Sequence, residues 1–188
     1  MGTYEEILET FKKKLKTVSV VEIADIPKID LYMDQVTTFM DQALTPYKRS
    51  SDGKVLTKTM INNYTKAKVL PPPVKKKYGR MHIMLLIMIF HLKTVLSIKD
   101  IATLFQPIFA LPTKEESEKQ TEKIYAGFIY LQKATLTYMQ ASAEGIIDDT
   151  LFQKEIMAEY DEEMKKVMLI LLLAIRANAE NCLLYTSP

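Results

Sequence analysis

Side chains that could bind a polyanion are concentrated between positions 45 and 80 of this 188-residue chain. That stretch holds ten Lys and Arg residues against one acid, Asp52, which gives it a net charge of +9. Because the whole chain has a formal net charge of +2, the remaining residues together carry −7. So uneven a distribution of charge favours a polyanionic partner, such as nucleic acid, for this one region.

A short helix is predicted within this region, from Thr57 as N-cap to about Lys68. Helical spacing turns one side of it inward, namely Met60, Ile61, Tyr64 and Ala67. Its outward side is polar and consists of Lys58, Asn62, Thr65 and Lys66, with Thr59 and Asn63 at the edge. Asparagine can bond an adenine edge bidentately, while lysine and threonine can reach guanine or phosphates. The pattern therefore suits a helix in the major groove, and it equally suits an ordinary solvated helix face.

A basic loop follows three prolines, Pro71 to Pro73, which hold the backbone extended. Its polar residues are Lys75, Lys76, Lys77, Tyr78 and Arg80. Cations beside a rigid turn suit a wing that grips the DNA backbone, and a solvated charge run is the alternative interpretation. Lys48, Arg49 and Lys54 could add to the positive field.

Signatures of catalysis and of metal binding are missing from the sequence. There is no Gly-rich phosphate loop and no His-Glu-x-x-His, and Cys182 is the only cysteine. His82 and His91 do not have the i,i+4 spacing of a metal pair, and we expect both to be structural. The acidic residues between 148 and 163 lack the spacing and the central glycine of a calcium loop. We expect a protein that is not an enzyme and that uses no cofactor.

The elements around the basic region are predicted to be helical. Asp30 can cap a helix from Leu31 to about Leu44, whose inward face would hold Tyr32, Val36, Phe39, Met40 and Ala43. Residues 80–93 are apolar almost all round, which is typical of a central helix covered on most sides. Ser97 and Asp100 form a capping box for a helix to Phe105, and Pro107 and Pro112 close this half of the chain.

The second half is predicted to be a helical hairpin. Thr113 and Glu116 open a helix to about Ala143, ended by Gly145, with its apolar residues at helical spacing: Ile124, Phe128, Leu131, Tyr138 and Met139. A last helix covers about 149–181, and so much apolar face requires a partner, either the first half of the chain or a second copy of it. We expect a homodimer formed through these helices. Tyr125, Tyr130 and Tyr138 could line an effector pocket, although core packing explains them equally well.

The N-terminal stretch and the apolar runs indicate where in the cell the protein is expected. Thr3 and Glu6 cap a predicted first helix, and the N-terminal stretch has no apolar secretory core. The longest apolar runs, Ile83–Phe90 and Val167–Ile175, are shorter than the roughly 20 residues of a membrane span, so we expect a cytoplasmic protein without membrane contact. Residues 182–188 resemble translated sequencing-adapter read-through, and we expect them to be non-native.

Three segments resemble the DNA-binding domain of MerR-type regulators. They are NYTKAKVLPP at 63–72, the basic-tyrosine pair Lys77-Tyr78, and LSIKDIATLF at 96–105. In that family a recognition helix ends in a tyrosine and a Gly-Leu-Leu-Pro turn, followed by a wing and a helix pair. Here Asn62 stands where the family usually has arginine, and Lys68 replaces the turn glycine.

A closer resemblance, over roughly residues 20–170, is to an uncharacterised bacterial family, domain of unknown function 1836. It rests on DLYMDQV at 30–36, LTKTMINNYTK at 56–66 and the proline-lysine segment. The resemblances imply an all-α fold with at most a small β wing, organised as a MerR-like winged helix-turn-helix at 30–110. Residues 1–29 would form an N-terminal helix and connector, and 111–181 the dimerising or effector-binding hairpin.

The function that these resemblances and the charge distribution imply is transcriptional regulation through double-stranded DNA. The predicted DNA-binding residues are Lys58, Thr59, Asn62, Asn63, Lys66, Lys75, Lys76, Lys77, Tyr78 and Arg80. The alternative is a non-enzymatic protein-interaction module on a winged-helix fold that has lost DNA binding. The change from arginine at Asn62 and the acidic second half favour that alternative.

Overall fold

The computed structural model describes residues 6, 9–10, 13, 16–48, 53–148 and 161, with the backbone alone for 141–148. The chain divides into two units, one made of Met1–Thr17 with Thr135–Pro188 and the other of Val18–Ala134. The second unit contains the basic region and is described below. The predicted last helix and tail lie outside the described residues (apart from Asp161), as does most of the predicted first helix.

The described part of the chain contains five continuous α-helices, two short 3-10 helices (Ile23–Asp25 and Thr45–Tyr47) and one two-stranded sheet. The helices are α1 (Met33–Ala43), α2 (Lys58–Lys66), α3 (Arg80–Leu92), α4 (Ile98–Phe109) and α5 (Lys114–Asp148). The strands are β1 (Leu31–Tyr32) and β2 (Lys77–Tyr78), which pair antiparallel with Leu31 opposite Tyr78. The prediction of an all-α fold with a small β element is therefore confirmed.

Helix α3 lies at the centre of the core. Every residue from Met81 to Ile89 is buried, as an apolar pattern without a polar face requires. The buried cluster around it includes side chains from each of the other helices, among them Val36, Ile61, Ile101 and Tyr125. Burying one large aliphatic side chain stabilises a fold by roughly 1.5–3 kcal/mol, so α3 contributes substantially to the apolar stabilisation of the core.

Helix starts agree with the predicted capping residues at three places. The Thr57 hydroxyl accepts a hydrogen bond from the Met60 amide at 3.2 Å. Ser97 and Asp100 form the expected capping box, in which the Ser97 hydroxyl also donates to the Asp100 carboxylate at 2.6 Å. Thr113 and Glu116 do the same for α5. These short-range signals locate helix starts because both partners lie within one turn.

The start of α1 differs from its prediction. Leu31 and Tyr32 form strand β1, and the helix begins only at Met33. The Tyr32 amide donates to the side-chain oxygen of Gln35 at 2.8 Å, so Gln35 caps this end. The assignment of Asp30 as the cap was wrong, and Tyr32 is 54% exposed instead of facing inward.

Two predicted helix ends were also wrong. Helix α4 contains Pro107 and continues to Phe109, where buried Ile108 anchors its last turn in the core. Helix α5 passes Gly145 and ends at Asp148. A proline or glycine weakens a helix by a limited amount, and packing of the neighbouring residues can outweigh that cost.

The buried side of α5 is not the apolar stripe that its sequence suggests. Ile124, Leu131, Tyr138 and Met139 are 36–72% exposed, whereas Phe128 is partly buried as predicted. Among residues 114–140 of this helix, the buried positions are Ser117, Thr121, Tyr125 and Ile129.

Hydrogen bonds explain how hydroxyl groups can occupy this buried side of α5. Ser117 donates to the Ile108 carbonyl at 3.0 Å, and Thr121 donates to the Ser117 carbonyl at 2.7 Å. The Tyr125 hydroxyl donates to the Val21 carbonyl at 2.8 Å. A buried hydroxyl that forms a hydrogen bond regains most of the free energy that it loses on leaving water, so polar residues can line a helix interface.

His91 near the end of α3 makes stability depend on pH. It lies among Tyr47, Phe90 and Phe128, and burial lowers its pKa to about 4. Burial also lowers the pKa of His82. Since a histidine in the unfolded chain titrates near 6.5, the unfolded state takes up protons first as the pH falls, and the free energy of unfolding decreases.

We expect the free energy of unfolding to fall by about 1 kcal/mol for His91 alone between pH 7 and pH 5.5. Urea unfolding at these two pH values measures the change. The variant His91→Gln, which keeps a polar partner for Gln132, should show a smaller decrease. A wild-type stability that stays constant or rises over this interval would contradict the assignment.

Candidate functional site

Helix α2 presents the polar side that its sequence predicts. Lys58, Thr59, Asn62, Asn63 and Lys66 are all exposed, and Ile61 and Tyr64 are buried. Thr65 is half-buried, and its hydroxyl donates to the Ile61 carbonyl at 3.3 Å. Ala67 was expected to face inward but is exposed, because α2 ends at Lys66 and Ala67 forms its C-cap. The exposed side is therefore made of amide, hydroxyl and ammonium groups.

Lys68 closes α2 in a left-handed conformation, with φ of 59°. Its amide donates to the Thr65 carbonyl at 3.1 Å, and the Val69 amide donates to the Tyr64 carbonyl at 3.0 Å. These two bonds form a Schellman motif, in which glycine usually occupies the left-handed position. A residue with a Cβ is strained there, by about 1–2 kcal/mol.

The basic loop folds into a tight turn from Val74 to Lys77. Val74 and Lys77 exchange both backbone hydrogen bonds, at 3.1 and 2.9 Å. The two residues between them, Lys75 and Lys76, have φ of 50° and 64°. Positive φ at both central positions is the pattern of a type I′ hairpin turn, where Asn-Gly is strongly preferred. Two exposed lysines thus occupy positions where asparagine and glycine would cause less backbone strain.

Strand β2 connects this turn to the core, and we call β1, β2 and the turn Val74–Lys77 the wing. The Lys77 ammonium lies over the ring of Tyr32, 5.2 Å from its centroid, on the neighbouring strand. Tyr32 was missed as a candidate, since the sequence around it reads as the start of a helix. Its exposed ring beside a lysine is able to contact a sugar or a base.

Helix α1 connects the wing to the start of α2. Strand β1 leads directly into α1, and Asp34 in the first turn of α1 forms a salt bridge with Lys58. The exposed side of α2 and the wing are thereby linked through neighbouring residues. We call this set of residues the candidate face, and it consists of Tyr32, Lys58, Thr59, Asn62, Asn63, Lys66, Lys75, Lys76 and Lys77.

Two of the predicted DNA-binding residues lie elsewhere. Tyr78 is 3% exposed and packs edge-on against His82, and burial raises the pKa of its hydroxyl. The Arg80 guanidinium donates to the Ile23 carbonyl at 2.8 Å, and its Nη2 lies 3.8 Å from Glu122. Both side chains support the base of the wing, so the structure does not place them on the candidate face.

The other basic residues differ in how far they are neutralised. Lys48 is 3.5 Å from Asp41, whereas Arg49 lies outside the described residues. Lys54 and Lys68 are exposed without a salt-bridge partner in the described ranges. The same holds for Lys66, Lys75 and Lys76 of the candidate face. Unpaired ammonium groups keep their full field for an anionic partner.

The His82 side chain has a structural role at the start of α3. The Gly79 amide donates to Nδ1 of His82 at 3.1 Å, which satisfies one backbone donor at the start of α3. Of the tyrosines considered for an effector pocket, Tyr125 is buried in the core, and Tyr130 and Tyr138 are each 72% exposed. Within the described ranges no three His, Cys, Asp or Glu side chains are arranged to hold a metal ion.

Comparison with known proteins gives one match. The profile of the family Domain of unknown function (DUF1836) matches residues 21–128, which include the wing and all of α1 to α4. No curated protein and no solved structure matches the chain. Over the described residues, no helix has both the length and the apolar character needed to cross a membrane.

The strain at Lys68 can be measured directly. Lys68→Gly should raise the free energy of unfolding by about 1 kcal/mol, because glycine adopts positive φ without a Cβ clash. Lys66→Gly removes the same charge inside α2, where glycine should lower stability by about 1 kcal/mol. Urea unfolding of the two variants compares them. If the free energy of unfolding changes in the same direction in both variants, Lys68 does not adopt the left-handed conformation.

Proposed function

This chain belongs to the family Domain of unknown function (DUF1836), and we propose that it is a DNA-binding transcriptional regulator. On this proposal the candidate face meets the duplex, with α2 in the major groove and the wing tip on phosphates. The protein acts by binding and has no catalytic role. The observation that carries the proposal is the pair of exposed lysines at the two left-handed positions of the wing turn.

The unfavourable free energy of two lysines in the wing turn supports the proposal. A type I′ turn forms most readily with Asn-Gly, and each residue with a Cβ is strained by about 1–2 kcal/mol. Lys75 and Lys76 also repel each other across adjacent positions. A partner that supplies negative charge would offset the repulsion between the two ammonium groups, and phosphate contacts by lysine dominate affinity for DNA. Strained residues of this kind cluster at functional sites.

Helix α2 supports major-groove contact through its shape and side chains. An α-helix with its side chains is about 10–12 Å across, which fits a major groove about 12 Å wide. Asn62 and Asn63 are exposed and suited to adenine edges, and Lys66 at the last turn can reach a phosphate or guanine. The Lys58 ammonium is shared with Asp34.

The finer proposal is a MerR-like winged helix-turn-helix. It is supported by the order of α2, a left-handed turn at Lys68, the wing, α3 and the Ser97-capped α4. We also propose a homodimer through the C-terminal helices. Ile124 and Leu131, exposed one heptad apart on α5, are placed as coiled-coil positions would be.

The wing turn provides the main test of DNA binding. Lys75→Asn combined with Lys76→Gly should stabilise the turn and remove two phosphate contacts. Affinity for a mixed-sequence duplex should fall on the order of tenfold, and the slope of log K against log salt should flatten by about 2. Fluorescence anisotropy over a range of salt concentrations measures both quantities, and thermal unfolding verifies that the variant is folded.

The matched control for that variant is Lys99→Gln with Lys123→Gln, which removes two exposed charges from α4 and α5, away from the candidate face. It should lower affinity by less than about twofold and leave most of the slope. If the wing variant binds DNA like the wild type while remaining folded, or if both variants lose affinity equally, the proposal is wrong.

The salt bridge between Asp34 and Lys58 gives a test in the opposite direction. Asp34→Asn removes a negative charge from the candidate face and frees the Lys58 ammonium. Affinity for DNA should increase severalfold, with a salt slope steeper by about 1. Asp100→Asn, which removes a charge from the cap of α4, serves as the control. An Asp34→Asn variant with weaker binding would mean that the carboxylate itself positions the partner.

A second function, a protein-interaction module without DNA binding, is favoured by the positions of Tyr78 and Arg80. Both belong to the predicted DNA-binding set and both are used inside the fold. In that case the cationic wing would bind an acidic protein surface. The two functions are distinguished by titration with duplex DNA at low ionic strength. The first predicts saturable binding that weakens as salt is added, and the second predicts no saturable binding.

A further inference from the structure

A cavity of about 350 Å³ lies between the end of α2, the proline segment, the end of α4 and the start of α5. Its volume falls within the range of roughly 300–1,000 Å³ that small-molecule sites occupy. All of its lining residues lie within the unit Val18–Ala134, and it is not part of the candidate face.

The lining of this cavity is mostly apolar. Leu70, Pro71, Pro72, Met81 and Phe109 supply its apolar surface. The Ser117 hydroxyl also reaches the cavity, but its proton is donated to the Ile108 carbonyl at 3.0 Å. The Thr65 hydroxyl likewise donates within α2. The neutral polar groups therefore have no free donor for a ligand.

The remaining polar groups of the lining are two ammonium groups, those of Lys68 and Lys114. Lys68 is exposed and has no salt-bridge partner in the described part of the chain. Lys114 is 3.3 Å from Glu118, one turn further along α5, and both of these side chains are largely exposed. Positive charge at the edge of an apolar cavity excludes cationic ligands and complements an anion.

We propose that this cavity binds a small apolar carboxylate, with its hydrocarbon part against Leu70, Met81 and Phe109. The carboxylate would pair with the ammonium groups of Lys68 and Lys114. Lys68 is also the left-handed residue that closes α2, so a bound carboxylate would stabilise the end of that helix directly. Helix α5 begins at Lys114, and Glu115 and Glu116 offset the partial positive charge of its first turn, so the two lysines supply the positive charge of the site.

Isothermal titration of the full chain with sodium octanoate, without DNA, tests the site. Octanoate should bind saturably with one site per chain and raise the thermal unfolding midpoint. Octanol at the same concentration should bind at least about fivefold more weakly, because it lacks the charge that pairs with the lysines. Sodium chloride at equal ionic strength serves as the blank.

Two variants locate the binding. Lys68→Glu should weaken octanoate at least about fivefold, and Lys114→Gln should weaken it in the same direction. Lys99→Glu makes the same charge reversal as Lys68→Glu on the exposed side of α4, outside the cavity, and should leave binding unchanged. Each ligand-free variant should unfold at a temperature close to that of the wild type.

The proposal is overturned if octanoate does not bind saturably, if octanol binds as well as octanoate, or if Lys99→Glu weakens octanoate as much as Lys68→Glu. Because no DNA is present, a failure of DNA binding would not affect this result. A failure of octanoate binding would equally leave the proposed function intact.

Discussion

The complete burial of α3 is the constraint on which the rest of the structure depends. A helix with no polar face can be stable only if neighbours cover it on every side, and its nine consecutive buried residues show that they do. The wing, α1, α2, α4 and α5 are the cover. Large groups that cannot be buried, above all the lysines of the 45–80 region, are forced to the outer surface of these elements.

The same constraint explains why the wing is strained. Tyr78 is drawn into the core against His82, and Arg80 is held at the start of α3 by the Ile23 carbonyl. These contacts fix β2, so the chain leaving the proline segment must reverse direction within Lys75 and Lys76. Positive charge is thereby concentrated at the wing tip, which on the proposed function meets the phosphates. A preorganised contact of this kind loses less entropy on binding.

Short-range patterns in the sequence predicted much of the fold. The caps at Thr57, Ser97 and Thr113 and the apolar run of α3 were found because their partners lie within one or two turns. Long-range contacts were not visible. Tyr32 could not be assigned to the wing without knowing that it pairs with Lys77. Thr121 is buried on α5 although it is polar, because its hydroxyl donates a hydrogen bond to a carbonyl of the same helix. The sequence named the lysines, threonine and asparagines of the candidate face, whereas Tyr78 and Arg80, named with them, have their side chains engaged inside the fold.

We propose that DNA contacts the exposed side of α2 and the wing tip. Lysine acetylation of the folded protein, followed by mass spectrometry with and without saturating duplex DNA, measures contact at each lysine. Lys66, Lys75 and Lys76 should be protected by DNA, while Lys99 and Lys123 should react equally in both conditions. Unchanged reactivity at the wing tip, or protection spread evenly over all five lysines, would contradict the account.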